Sequence, residues 1–413
     1  MASRDVQFPT ACPGQGHRKG SAEFRRIALA LFAAALATFT TLYCVQAVLP
    51  ELATTFRLSP ATASLAVSVG TGALAVAAIP LTALSEALGR TRVMTAAMFA
   101  SAVLAMAEAF SPSFAVLLVL RAFQGVALAG LVAVAMSYLA EELHRDSLGS
   151  GMGLYIAGNS IGGLVGRLVA GLVDEVANWR WALAVVGLLA LACAVVFRVA
   201  ILPSQRFRAR PLRLAALAAS VGRAMTDVGL LALYLVGFLF MGCFVTVYNY
   251  LDFRLLEPRF HLSQAVVGLI FVVYLAGSFS STAAGRMVDR FGRRRMMWPA
   301  GVVTLVGIAL MVPAQLAVVV LGLVITTVGF FAGHSVASGW VSARSAALGV
   351  QGPAVYLFSY YAGSSVGGWA GGLAYGGAGW IGVSGYTSAL VLAVITLGVG
   401  LRALRPARPR TAG

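Results

Sequence analysis

Long apolar runs, broken by short polar, glycine-rich or proline-rich gaps, cover most of this chain. About 20 residues of α-helix cross the hydrocarbon of a bilayer. Twelve runs approach that length: 27–49, 62–84, 93–110, 114–138, 149–172, 181–201, 229–251, 264–284, 296–313, 316–341, 353–375 and 384–401. The pattern predicts an all-α integral membrane protein with 12 transmembrane helices. It divides the chain into an N-terminal tail 1–26, a six-helix bundle 27–201, a linker 202–228, a second six-helix bundle 229–401 and a C-terminal tail 402–413. A basic segment precedes the first run, as in a signal peptide, but the run is too long for a signal core. It ends in Pro50-Glu51 without a small-residue cleavage site, so a retained first span is expected.

Composition agrees with a bilayer as solvent. Of 413 residues, 60% are hydrophobic and 11% charged, a balance that a water-soluble domain of this size could not carry on its surface. The formal charge of +16 raises nucleic acid as a partner until the basic residues are placed. Lys19 is the only lysine, and the arginines sit in gaps between apolar runs rather than on one amphipathic face, so no nucleic acid is expected. Retained basic residues mark the cytoplasmic side. With the N-terminus inside, 24 of the 30 basic residues fall in inward segments, against Arg57, Arg180, Arg254 and Arg259 in outward ones. Arg121 and Arg167 lie inside spans. Both termini are therefore expected in the cytoplasm of a cell whose inner membrane, bacterial by this reading, holds the chain. In the linker, Leu212 to Ala224 suits either a helix lying on the membrane surface or a solvated connection. The scattered cysteines Cys12, Cys44, Cys193 and Cys243 imply neither a disulfide framework nor a metal site, and no cofactor is expected.

The chain repeats itself at half its length. Gly285 to Arg295 (GRMVDRFGRRR) returns in weaker form as Thr82 to Arg92 (TALSEALGRTR), so that Glu86 stands for Asp289, Gly89 for Gly292, and Arg90 for Arg293. Phe56-Arg57-Leu58-Ser59 recurs as Phe260-His261-Leu262-Ser263, and Ala157 to Gly163 recurs as Ala362 to Gly368. Two copies of one six-span unit account for these offsets. At these residues the chain resembles the major facilitator superfamily, and the resemblance covers all but the two tails. Gly285 to Arg295 fits the signature loop G-x-L-x-D-R-x-G-R-R-x with Met287 in place of Leu. Leu117, Arg121, Gln124 and Gly125 are similar to a second signature, L-x-x-x-R-x-x-Q-G. Gly158 to Gly163 and Tyr248-Asn249-Tyr250 look like the twelve-span efflux branch, in particular its acriflavin-sensitivity (YnfM-like) group. One departure is Asn159, where the drug/proton antiporter signature has proline.

The resemblance implies two six-helix bundles related by a pseudo-two-fold axis, which move about a central site. It also implies proton-coupled efflux of drug-like or amphiphilic small molecules, with protons as coupling ion and the chain a monomer in the lipid bilayer. The signature loops are expected to act as a conformational latch made of Glu86, Gly89, Arg90, Asp289, Arg290, Gly292 and Arg293. Physically, a carboxylate can sit against the positive N-terminal end of a neighbouring helix while arginines hold it from the other side, and each such term is worth about 0.3–2 kcal/mol. The plain alternative is that these arginines only obey the inside-positive bias.

A charge inside a span must face a partner or a wet cavity. Arg121 is expected near span 1 in coupling or substrate binding, with Gln46 and Gln124 as hydrogen-bond partners, or else as a tie between helices. Arg167 reads equally as an anchor snorkelling to headgroups and as an anion site. Glu108, at the end of span 3, is expected at the interface, which leaves no acid in mid-membrane. His334 is then the candidate titrating group, or a packing residue. The glycines of spans 5 and 11 are expected to let helices approach, with Gly70, Gly72 and Gly277 as facing partners. Asn159 is the polar exception there. Spans 1, 4, 7 and 10 line the centre in the family, which adds Tyr248 and Asn249 to the cavity set; apolar walls with few polar groups suit amphiphilic organic molecules.

Other classes fit less well. Lys19 precedes Gly20 in the tail, so no Walker A motif exists, and the histidines are too far apart for His-Glu-x-x-His. The chain is not read as an enzyme. Two alternatives stay open: a transporter of a small metabolite such as a sugar, amino acid or organic anion, and a membrane receptor or sensor that moves nothing.

Overall fold

The computed structural model describes residues 16–207, 214–260 and 262–403. Basic residues counted above in the tails and linker, among them Arg4, Arg208, Arg210, Arg213, Arg405, Arg408 and Arg410, lie outside the described residues, as do Cys12 and His261. The first bundle contains Ala22–Tyr43 (span 1), Leu65–Leu88 (2), Arg90–Glu108 (3), Phe114–Glu142 (4), Arg145–Val176 (5) and Trp179–Ala200 (6). The second contains Val228–Leu255 (7), Tyr274–Phe291 with its leading turns Gln264–Ile270 and Phe271–Val273 (8), Arg293–Leu310 (9) and Leu316–Leu348 (10). Gly352–Gly400 holds spans 11 and 12, which meet where Ala378 and Gly379 leave helical geometry. Among the described residues, nine helical runs are long and apolar enough to cross a bilayer by themselves. Spans 3 and 9 miss that mark because their first turns carry the arginines of the basic loops, and the last run contains two spans. In the linker, the helical alternative is the one that forms, over Leu214–Ala224, and it docks on the second bundle, where Ser220 Oγ accepts the Gln351 N–H at 3.1 Å.

The two bundles repeat each other in detail. Thr40 Oγ1 of span 1 donates to the Gly162 carbonyl of span 5 at 3.0 Å, and Thr246 Oγ1 of span 7 donates to Gly367 of span 11 at 2.9 Å. These contacts need backbones in near contact. A Cβ on Gly166 would lie 2.7 Å from Thr40 Cα, and one on Gly363 2.7 Å from Phe238 Cα. Hydrophobicity gives helices no drive to associate in lipid, so close packing and interhelical hydrogen bonds supply it. The glycine faces of spans 5 and 11 thus pack on spans 1 and 7. Of the partners expected from sequence, Gly72 does face span 11, at Ser365, whereas Gly70 faces the Arg121 side chain and Gly277 the Phe331 ring.

The bundle ends differ. One, here the basic end, carries the turns between spans 2 and 3 and between spans 8 and 9, where Gly89 (φ 102°) and Gly292 (φ 82°) take backbone geometry that a side chain strains. Hydrogen bonds between the halves gather at the other, far end. Ser365 Oγ donates to the Ser68 carbonyl at 2.7 Å, the Ala265 N–H donates to Glu175 Oε2 at 2.6 Å, and the Gln264 amide donates to the Ala47 carbonyl. At the basic end a recess of about 510 Å³ opens beside Val288, Asp289, Arg293 and Trp340.

Candidate functional site

Pro50 lacks an N–H and cannot continue the hydrogen-bond ladder of span 1. The chain tightens into a 3₁₀ turn, Cys44–Val48, in which the Gln46 carbonyl takes the Leu49 N–H instead. This turn aims the fully buried Gln46 side chain at the junction of the halves. Its Oε1 accepts from Arg167 Nε of span 5 at 2.8 Å, and its Nε2 donates to Asn249 Oδ1 of span 7 at 2.6 Å. Arg167 also donates to the Gly163 carbonyl, one turn back, at 2.6 Å. Four rings surround its guanidinium: Tyr43, Tyr274, Phe271 and Tyr248, with centroids 5.0, 5.1, 5.3 and 5.4 Å from Cζ. Ring faces attract a cation most when water is excluded, and Arg167 is 1% exposed. Arg167 is therefore not a residue that snorkels to headgroups; the packing of span 5 on span 1 points it inward.

Arg121 makes a different arrangement within the first bundle. Its guanidinium donates to the carbonyls of Thr41 (2.9 Å) and Leu42 (2.7 Å) on span 1, to Ala66 (2.8 Å) on span 2, and to Gln124 Oε1. Four of its five N–H groups are thus bound to protein, and it ties three spans together. Gln124 is the expected partner, whereas Gln46 bonds Arg167 instead. Glu108 is corrected as well: it is 1% exposed, not interfacial, and its Oε2 lies 3.6 Å from Arg121 Nη1. The helix end that looked wet in sequence is covered by span 6, whose Arg180 donates to the carbonyls of Ala109 and Ser111.

A second buried acid escaped the sequence reading. Asp252 is fully buried on span 7, one turn past Asn249, and neither carboxylate oxygen has a hydrogen-bond partner. Asn249 Nδ2 is likewise unpartnered. The apolar run ends at 251, whereas the helix continues to Leu255. Spacing held the signal, since Asp252 follows Asn249 by three residues and Tyr248 by four, which puts all three on one helix face.

His334 of span 10 lies on the wall between Phe330 and Tyr360, and its Nδ1 is 3.0 Å from Tyr356 Oη. Phe330 stacks on Phe244 with centroids 3.9 Å apart, and Tyr248 shares a 2.8 Å hydrogen bond with Thr327. The second bundle thus has a buried aromatic cluster with few polar atoms, at whose edge His334 and Tyr360 are only partly buried. Asn159 is partly buried in span 5, and its Oδ1 has no partner.

The latch residues divide. Arg90 is buried, donates to Ser85 Oγ at 2.6 Å and to Glu141 Oε1 of span 4 at 3.0 and 3.2 Å, and lies 3.6 Å from Glu86. Its twin region is open: Asp289 and Arg293 border the recess, and Arg290 rests on the Phe291 ring at 5.2 Å. Near this end Asp227 caps span 7 and receives Arg344 through both oxygens, at 2.6 and 2.9 Å. Burial opposes its ionisation, but Arg344 and the Leu230 N–H outweigh that and hold the carboxyl below its usual range.

Comparison with known proteins agrees with this architecture. The profile of the Major Facilitator Superfamily matches residues 31–257. The chain is 45% identical to the uncharacterized MFS-type transporter YybF of Bacillus subtilis over 380 residues, 92% of this chain and 94% of that one. It is 41% identical to the inner membrane transport protein YnfM of Escherichia coli over 390 residues, 94% and 93% of the two chains. A bacterial homolog of the human lysosomal transporter Spinster, solved in an inward-facing and unoccupied conformation, superposes with a TM-score of 0.73 at 15% identity, covering 93% of this chain and 97% of that one. Twelve helices in two matching bundles and relatives of this similarity make the chain a multi-pass membrane transporter belonging to the major facilitator superfamily, in its YnfM-like group.

Proposed function

We propose that this chain is a secondary active transporter working by alternating access, which exports amphiphilic small organic molecules in exchange for protons. The carrying observation is the bridge from Arg167 through Gln46 to Asn249, one of the hydrogen bonds between the halves that gather at the far end. With the basic loops in the cytosol, as the arginine distribution favours, this is an inward-open form. Its likeness to the inward-facing Spinster homolog supports the same reading. The partly buried His334 and Tyr360, backed by the buried pair Phe244 and Phe330, suit a ring-bearing substrate with a small polar part.

In this scheme Glu86, Arg90, Asp289 and Arg293 latch the cytosolic side when it closes, and the open form leaves Asp289 at the recess. A second reading, a small organic anion as substrate, is favoured by the buried positive charge of Arg167. Susceptibility and metabolite screens of deletion and overexpression strains, followed by flux in vesicles with imposed pH gradients, decide between them. Counterflow of a labelled substrate in proteoliposomes separates any transporter from a sensor; purified protein that carries no solute refutes the proposal.

A further inference from the structure

The reading above leaves open which group carries the proton, and the inference here rests on that reading. Asp252 has no exposed surface and no hydrogen-bond partner for either oxygen. An ionised carboxylate in such surroundings is strongly disfavoured relative to its neutral form. Of the other buried acids, Glu142 accepts the Arg206 N–H at the basic end, and Glu108 pairs with Arg121 on the next span of the same half, so both partners move together whichever end is open. Asp252 belongs to the second half and lies one turn past Asn249, whose side chain accepts from Gln46 of the first half. Closing the far end therefore changes its surroundings.

Most other charged groups at this end have protein partners; Asp174 Oδ1 is buried without one, but Asp174 and its neighbour Glu51 both belong to the first half. Arg254, on the same helix, donates to the carbonyls of Met311, Val312 and Pro313. Glu257 accepts from Tyr375, and Glu51 accepts the Trp179 N–H and lies beside Asp174. Glu175 accepts the Ala265 N–H. The hydrogen bonds of Arg167 use Nε and Nη1, directed to Gln46 and Gly163.

We propose that Asp252 is the carboxyl that takes up and releases the coupling proton. With the far end open, the carboxylate meets outer water, and a proton from that water forms its O–H bond. Neutral, it can be enclosed as the Gln46–Asn249 bridge forms. When substrate enters from the cytosolic side and admits water, the O–H bond breaks and the proton leaves into the cytosol. The carboxylate left behind favours reopening of the far end. Linkage then requires protons to favour the far-end-closed form, because that form binds the proton more tightly.

The test uses the full chain carrying Cys12→Ser, reconstituted in lipid nanodiscs, with spin labels on Thr55→Cys and Arg259→Cys. Both positions are exposed at the far end, on opposite halves. In the parent, lowering the pH from about 9 to about 5 should convert long inter-label distances to short ones; each unit of difference in proton affinity between the two forms changes their ratio about tenfold. Asp252→Asn should show the short distance at every pH, whereas Asp252→Glu and Glu108→Gln should keep a pH-driven shift. If Asp252→Asn titrates like the parent, or Glu108→Gln loses the shift, the assignment to Asp252 is wrong while proton coupling stands. Parent distances that ignore pH overturn both.

Discussion

Asn249→Ala removes the hydrogen bond by which the buried Arg167–Gln46 pair reaches the second half. A neutral side-chain hydrogen bond contributes about 0.5–1.5 kcal/mol net, and this one joins residues of opposite halves in the far-end-closed form. Its loss should raise the ratio of far-end-open to far-end-closed molecules about 2- to 12-fold, taking RT as about 0.6 kcal/mol. The larger value is expected, because Gln46 Nε2 is left buried without an acceptor. Ser68 supplies a reporter. It is buried, its Oγ has no partner, and its carbonyl takes the cross-half bond from Ser365. A Ser68→Cys thiol should meet an impermeant maleimide only when the halves part, so its labelling rate follows the open population. In a Cys12→Ser background, where the other cysteines Cys44, Cys193 and Cys243 are buried, Asn249→Ala should accelerate labelling by that factor. A rate equal to the parent's, or slower, would refute the view that this bridge holds the far end closed.

Gly363→Ala should lower the melting temperature in detergent, since the new methyl meets Phe238 main-chain atoms at 2.7 Å; overpacking of this kind costs about 1–3 kcal/mol. Gly376→Ala, with open space around it, is the matched control and should not lower the melting temperature. Arg344→Gln should lower stability at neutral pH by releasing the depressed Asp227 carboxyl. A depressed folded value stabilises above the unfolded value, so melting curves of parent and variant should differ down to about pH 4 and converge as the pH falls further. Asp289→Asn should insert normally and transport more slowly; full activity would end the latch idea. His334→Gln should weaken substrate binding and leave the pH profile of transport in place, and loss of that profile would return the coupling role to His334.

The fold was legible because its two strongest signals are long-range in sequence and crude in chemistry: apolar length and the side on which arginines fall. The site was legible only in part. Gln46, Gln124, Tyr248 and Asn249 were recognisable as polar or aromatic residues on central spans, but partners depend on helix rotation, so Gln46 was matched to the wrong arginine. Glu108 and Asp252 were misread for one shared reason. An acid near the end of an apolar run lowers its hydropathy and looks like the boundary, whereas here spans 3 and 7 carry their acids inside, covered by neighbouring helices. No window along the sequence contains that cover.

The glycines at positions 89 and 292 have a mechanical consequence. Each is the whole connection between two membrane-crossing rods, held in a backbone geometry that leaves no slack. Such a joint keeps its two rods from drifting independently, as a stiff elbow would. A push received at either loop is then delivered to an entire pair of helices, which lets small forces at the protein's edge tilt half of it.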